Sequence, residues 1–241
     1  MADAEATPTT TVVDEKAGLT ESVETPAQAV QASTESESAD PEKVVSVFDD
    51  ASHFTVKHPL RHKWTLWYTK PASAGRSANW SDQLKEIISF DSVEEFWGVY
   101  NNIPKASELP LRSDYHLFRT GVRPEWEDEQ NSKGGKWAYQ CQDKQSVDID
   151  KLWLNTLLGT VGETIDGNGK DQVMGIVATI RKAHYRISVW IGSFTDETVV
   201  RNIGLQFKKC LELSDKEYVD FASHTDAASS GSSRARSRLQ V

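Results

Sequence analysis

The sequence predicts an α+β domain in which an antiparallel sheet carries its helices on one face. Three observations point there. Runs rich in aromatic and β-branched residues recur with hairpin-length connections, as in Val173–Ile180 followed by Arg186–Ile191. Three segments carry a helical apolar stripe behind a Ser, Thr or Asp suited to an N-cap. The first fifty residues hold twelve Asp or Glu, two Lys and no aromatic before Phe48. That is too little apolar surface to offset the entropy of ordering a chain, so the sheet and helices must lie beyond them.

In order, Lys63–Thr69 reads as a first strand ended by Pro71. Residues 71–79 have loop chemistry, and Trp80 stands at the end of that loop before a second strand over Leu84–Phe90. Ser92 with Glu95 has the capping-box pattern and opens a helix through Asn101. On that helix Val93, Trp97 and Tyr100 lie at i, i+4 and i+7, which by periodicity alone makes Trp97 a core residue. Tyr115–Thr120 and Lys136–Gln142 read as strands flanking a long connection. Asp148 or Asp150 caps a helix through Leu158 with Gly162 at its end, and Trp153 falls beside its leucine stripe. The Val173–Ile180 and Arg186–Ile191 strands form a hairpin with the basic run Arg181-Lys182-Ala183-His184-Tyr185 at its tip. Thr195 or Asp196 opens a last helix, acidic in its first turn and ending on Lys208-Lys209, as the helix dipole favours. Tyr218–Ala222 closes the sheet. Helices and strands in this order fit an α+β layer architecture. The expected organisation is a disordered acidic tail over 1–50, the domain over 51–228 and a mobile Ser/Arg-rich tail over 229–241.

The acidity belongs to the tail. Its net charge is −10 and the whole chain carries −9, so −9 minus −10 leaves +1 for residues 51–241. A nucleic-acid partner is therefore compatible with the domain. The chain opens without a basic region followed by an apolar one and contains no run of eighteen apolar residues, so a soluble intracellular protein without membrane contact is expected. Its expected compartment is cytoplasmic, with the nucleus as a second, and its expected state is monomeric. Cys141 and Cys210 lack metal-site spacing and read as buried reduced thiols.

Catalytic and cofactor signatures are missing. Gly167-Asn168-Gly169-Lys170 lacks the remaining spacing of a phosphate-cradling loop, and no G-x-S-x-G elbow occurs. His58 and His62 are four apart, but Pro59 intervenes and no Glu follows His58 to complete a zinc-protease motif. Glu127, Asp128 and Glu129 beside tryptophans invite comparison with glycosidases, yet neighbours in one short run cannot face each other across a scissile bond. No enzyme, cofactor or metal is expected.

All eight tryptophans fall between Trp64 and Trp190. Trp80 and Trp126 lie on loops, where an aromatic either faces a ligand or anchors the loop. Read as ligand-facing, the two are jaws for a planar ring, with Glu127 between them and Lys136, Arg181 and Arg186 farther out. Stacking on each aromatic contributes about 1–3 kcal/mol. A carboxylate accepts from N–H donors, so Glu127 favours guanine, whose Watson–Crick edge offers N1–H and N2–H₂. The basic hairpin tip holds phosphates on this reading and is otherwise a solvated turn.

Taken together, these residues resemble the eukaryotic translation initiation factor 4E family, which binds the 7-methylguanosine cap of messenger RNA. The resemblance runs from about His58 to Ser232. Its markers are His58-Pro59-Leu60, Trp64-x-x-Trp67, Glu94-Glu95-Phe96-Trp97, Pro124-Glu125-Trp126-Glu127-Asp128-Glu129, Gly134-Gly135-Lys136-Trp137 and Trp153-Leu154-x-x-Leu157-Leu158. It implies a curved antiparallel sheet with three helices on its convex face. It further implies that Trp80 and Trp126 sandwich the methylated base, whose delocalised positive charge adds a cation–π attraction. Glu127 would accept from N1–H and N2–H₂, Trp190 would lie against the N7 methyl, and Arg181, Arg186 and Lys136 would hold the phosphates.

A second surface is implied on the convex face. There His58, Pro59, Val93, Trp97, Leu154, Asn155 and Gly162 would receive a helical Tyr-x-x-x-x-Leu-apolar peptide from the scaffold factor 4G or from 4E-binding repressors. That implication replaces the core reading of Trp97. The expected function is cap-dependent initiation by recruitment of 4G; the alternative is a cap-binding homologue that represses translation. Three positions depart from the family pattern. Asn155 replaces a common Glu on the peptide face. Lys136 replaces an Arg and loses its bidentate fork. Ala183 replaces a Lys found in some relatives opposite a phosphorylated C-terminal serine.

Overall fold

The computed structural model describes residues 44–50, 53–71, 80–167, 170–230 and 237–241, apart from the side chains of Trp80 and Ser230. Eight antiparallel strands form one curved sheet in the order β2-β1-β3-β5-β6-β4-β7-β8. They are β1 Pro59–Thr69, β2 Leu84–Ser92, β3 Asp114–Arg119, β4 Gly135–Cys141, β5 Val173–Ile180, β6 Tyr185–Ile191, β7 Asp220–Ser223 and β8 Leu239–Gln240. Three long helices, α2 Val93–Asn102, α4 Ile149–Val161 and α5 Glu197–Cys210, match the three read from periodicity. Short helices α1 Trp80–Gln83, α3 Glu129–Ser132 and α6 His224–Ser230 were not expected. Four to seven residues are too few to display a helical period.

Alternation within each strand divides the sheet into two faces. Trp64 and Leu66, Tyr115 and Leu117, Trp137 and Tyr139, and Ile187, Val189 and Ile191 point toward the helices, joining Phe96, Trp153, Leu157, Ile203 and Phe207 in the main core. On the opposite face Phe118, Val122, Met174, Val177 and Trp190 form a second, smaller cluster against which Trp126 packs.

The caps resolve the open choices. Asp148 accepts from the Asp150 and Lys151 N–H groups, and Asp196 from those of Thr198 and Val199. Ser92 accepts from the Glu95 N–H as the capping box requires, but the Glu95 carboxylate reaches the Asp91 N–H instead of closing the box on Ser92. Gly134-Gly135 serves close packing at the start of β4: a Cβ on Gly134 would lie 1.7 Å from the Ile191 carbonyl oxygen.

Described structure reaches into both segments expected as tails. The folded unit begins at Val44, where the Val45 carbonyl accepts from the Thr55 and Val56 N–H groups; residues 1–43 of the expected acidic tail lie outside the described residues. At the other end Ser229 belongs to α6. Leu239–Gln240 pairs with β7, and Val219 and Val241 exchange two backbone hydrogen bonds. Arg238 forms an ion pair with Asp226. An otherwise open edge on β7 is thereby covered. Residues 231–236 lie outside the described residues.

Candidate functional site

The site is built on the face opposite the three long helices. Lys136 on β4 is register-paired with Trp190 on β6, and Arg186 pairs with Gln140 two steps farther along the same face. Along β6, Trp190 and Arg186 are thus roughly 13 Å apart, four residues at strand rise. Trp190 is only 8% exposed. Its ring meets Phe118 edge-on at 5.4 Å and the His224 imidazole at 4.2 Å. Lys136 Nζ lies 5.9 Å from the Trp190 ring centre. Burial lowers the Lys136 pKa to about 8, with repulsion from Arg186 as the second cause. Among the described residues no carboxylate forms an ion pair with it, and attraction by Asp114 only partly offsets these two causes.

Trp126 lies in the connection between β3 and β4, half-buried, with Glu127 exposed beside it. The loop is held from below. Asn131, fully buried, donates through Nδ2 to the carbonyls of Arg123 and Glu125 at 2.8 and 2.9 Å. Asp128 accepts from the N–H groups of Arg123 and Gln130, both at 2.9 Å. Trp80 is the first residue of α1; its side chain lies outside what is described. At the end of β5, Arg181 donates to Asp114 Oδ2 at 3.0 Å and to the carbonyls of Ser113 and Ile180. Arg186 donates to Gln140 Oε1 at 2.5 Å.

Packing and strand register therefore put Trp126, Trp190, Lys136, Arg181 and Arg186 on one face, with Glu127 exposed on the loop beside Trp126, and keep His58, Pro59, Val93, Trp97, Leu154, Asn155 and Gly162 away from it. The latter gather around α2, α4 and the start of β1. Val93 is 39%, Trp97 37% and Leu158 38% exposed, a large apolar presence on a helical surface. Trp97 is held upright by edge contacts with Phe96 and Tyr100, which corrects the core reading that periodicity alone gives. Its neighbour Phe96 fills the core instead. His58 is tied to α2 through its backbone N–H and Nδ1, both bonded to Glu94. These contacts hold the Glu94 carboxyl at about 2. His62 does not join His58: its Nε2 lies 3.0 Å from Asp171 and 3.8 Å from Glu163, beside Arg61 and Arg119. Two guanidinium groups already supply the positive charge that these acids attract.

Sequence reasoning missed His224, Asn131 and Asp114. Each sits far along the chain from the group it supports, and none stands in a pattern that marks it. It also missed an apolar groove beside α2 lined by Ile87, Ile88, Phe90, Val99 and Ile103.

Comparison with known proteins decides the family. A model of the family described as Eukaryotic initiation factor 4E matches residues 59–239. The chain belongs to this family. Among factor 4E relatives, it is 49% identical over 197 residues to eukaryotic translation initiation factor 4E-2 of Schizosaccharomyces pombe, covering 82% of this chain and 79% of that one. It is 52% identical over 182 residues to factor 4E of Saccharomyces cerevisiae, covering 76% and 84%. Of solved factor 4E structures, C. elegans eIF4E-3 in complex with the 4E-binding protein Mextli and a cap analog superposes with a TM-score of 0.69 at 35% identity. It covers 77% of this chain and all of that one. No helix among the described residues is long and apolar enough to cross a membrane.

Proposed function

We propose that this factor 4E family member binds the 7-methylguanosine cap of messenger RNA on the Trp126–Trp190 face and recruits the initiation scaffold 4G through the Trp97 surface on the opposite side. The observation that carries the first half is the convergence of Trp126, Trp190 and three cationic side chains on one side of the sheet, with Glu127 exposed beside Trp126. A C. elegans relative captured with a cap analog and a 4E-binding protein supports both halves.

On this reading Trp80 and Trp126 stack on the two faces of the methylated base, and Glu127 accepts from N1–H and N2–H₂. Stacking contributes about 1–3 kcal/mol per face, with a cation–π term of about 0.5–2 kcal/mol that unmethylated guanine lacks. Trp190 meets the methyl group. Lys136, Arg181 and Arg186 take the phosphates, so affinity falls with salt. Arg181 must share its guanidinium between Asp114 and phosphate. No bond is made or broken; the protein is an adaptor holding RNA on one face and protein on the other.

Tryptophan-fluorescence titration with 7-methyl-GTP and GTP tests the first half. Strong quenching by the methylated ligand, a much weaker response to GTP, and loss of both in Trp126→Ala and Glu127→Ala are expected. Equal responses to the two nucleotides would overturn it. A pull-down with a 4G-derived Tyr-x-x-x-x-Leu-apolar peptide, abolished by Trp97→Ala, tests the second half and separates an initiation factor from a repressor that does not engage the scaffold.

A further inference from the structure

We propose that Ser81, Glu125 and Arg123 form a clasp that sets the spacing between the segments carrying Trp80 and Trp126; it rests on the reading that these two tryptophans sandwich the base. Ser81 directly follows Trp80 and Glu125 directly precedes Trp126. Ser81 Oγ donates to Glu125 Oε1 at 2.7 Å. Arg123 Nη2 donates to the same carboxylate oxygen at 3.0 Å and to Ser81 Oγ at 3.3 Å, while Arg123 Nε reaches Glu125 Oε2 at 3.2 Å. Three side chains from two distant segments thus close on one another immediately behind the two stacking positions.

The clasp stands on a fixed base. The Arg123 guanidinium lies 5.8 Å from the Trp67 ring centre, on the face of β1 that looks toward the site. Asn131 holds the carbonyls of both Arg123 and Glu125 from beneath. The Glu125 side chain is 17% exposed and that of Arg123 50%, so the carboxylate end of the clasp is the part shielded from the competing water that weakens exposed pairs. Arg123 and then Ser81 hold its carboxyl below the usual glutamate range.

A sandwich needs both rings in contact at once. Too wide a gap leaves one face of the base unstacked, and too narrow a gap excludes it. Trp80 opens a four-residue helix before β2, and Trp126 sits in the β3–β4 connection, so no strand ladder fixes one against the other. Side-chain bonds across the two segments do so. Ser81, Glu125 and Arg123 are outside the set read as touching base or phosphate. They are positioning residues whose contribution is preorganisation.

The experiment is stopped-flow fluorescence with 7-methyl-GTP on wild type, Ser81→Ala, Glu125→Ala, the double variant and Ser81→Thr. A Tyr-x-x-x-x-Leu-apolar peptide on the far surface reports whether each variant is folded. Each alanine variant is expected to lose about 3- to 10-fold in affinity, mostly through faster dissociation, with the double variant no weaker than the weaker single. Ser81→Thr, which keeps the hydroxyl, is expected to restore wild-type dissociation, and peptide affinity to stay constant throughout. Wild-type affinity in both single variants, strictly additive losses in the double, or a parallel loss of peptide binding would overturn the clasp. A wild type that does not distinguish 7-methyl-GTP from GTP would overturn the sandwich, and the clasp with it.

Discussion

Lys136 illustrates how one side chain couples charge to ligand. Half-buried beside Trp190 and repelled by Arg186, it has a pKa of about 8, so the ligand-free protein loses this charge as the pH rises past that value. A phosphate seated beside it favours the protonated form, and binding then takes up a proton. Affinity for 7-methyl-GTP is therefore expected to weaken as pH rises through about 8. Lys136→Arg, whose guanidinium stays charged, is expected to weaken less. The ligand's own N1–H ionises identically in both titrations, so the difference between the proteins reports Lys136. Parallel profiles would remove it from the phosphate site. Glu127 permits a second test by isothermal titration: Glu127→Gln keeps the shape but loses the charge-assisted bonds. It is expected to cost about 1.5–3 kcal/mol of binding.

At the scale of elements, the β3-β5-β6 centre of the sheet shapes the floor of the site. Phe118 and Trp190 meet across Gly175, whose register partners they are. A Cβ there would lie 2.4 Å from the Phe118 ring. Gly175→Ala must displace Phe118, which in turn props Trp190. A stability loss of about 1–3 kcal/mol by urea unfolding is expected, together with weaker binding of the methylated nucleotide. Strands β1 to β7 and the long helices were legible because each run spans at least two of its own periods and the helix caps are chemically distinctive. Asp196 and Ser92 are both acceptors placed one residue before the first helical position. Leu239–Gln240 was hidden because two residues carry no period, and their pairing depends on an open β7 edge that only the assembled sheet presents.

For the whole molecule, the two proposed surfaces lie on opposite sides of one sheet with the main core between them. Acid should weaken that assembly in a definite order. His116 and His224 are buried and held near 4 and 3, well under the ordinary 6.5, chiefly by desolvation. An unfolded chain binds these protons first, so unfolding free energy is expected to fall as pH drops below about 6.5, before the Glu94 carboxyl begins to titrate toward its value of about 2. Urea melts at pH 7 and pH 5 should show the loss, and a His116→Gln/His224→Gln variant should lose less between them.

The sequence by itself determined the α+β class, the three long helices, the aromatic strands and the motifs that carry the family resemblance, because local periodicity, capping chemistry and residue type act over a few neighbouring positions. Which tryptophan serves as core and which as surface was decided only by tertiary structure. Trp97 and Phe96 are adjacent on α2, and a one-residue step of about a hundred degrees around the helix is all that separates a core ring from an exposed one. The same holds for Asn131 under the Trp126 loop, His224 against Trp190 and Ser81 against Glu125. Each contact joins residues whose separation along the chain leaves no local trace, and each exists because the folded sheet puts their backbones within reach.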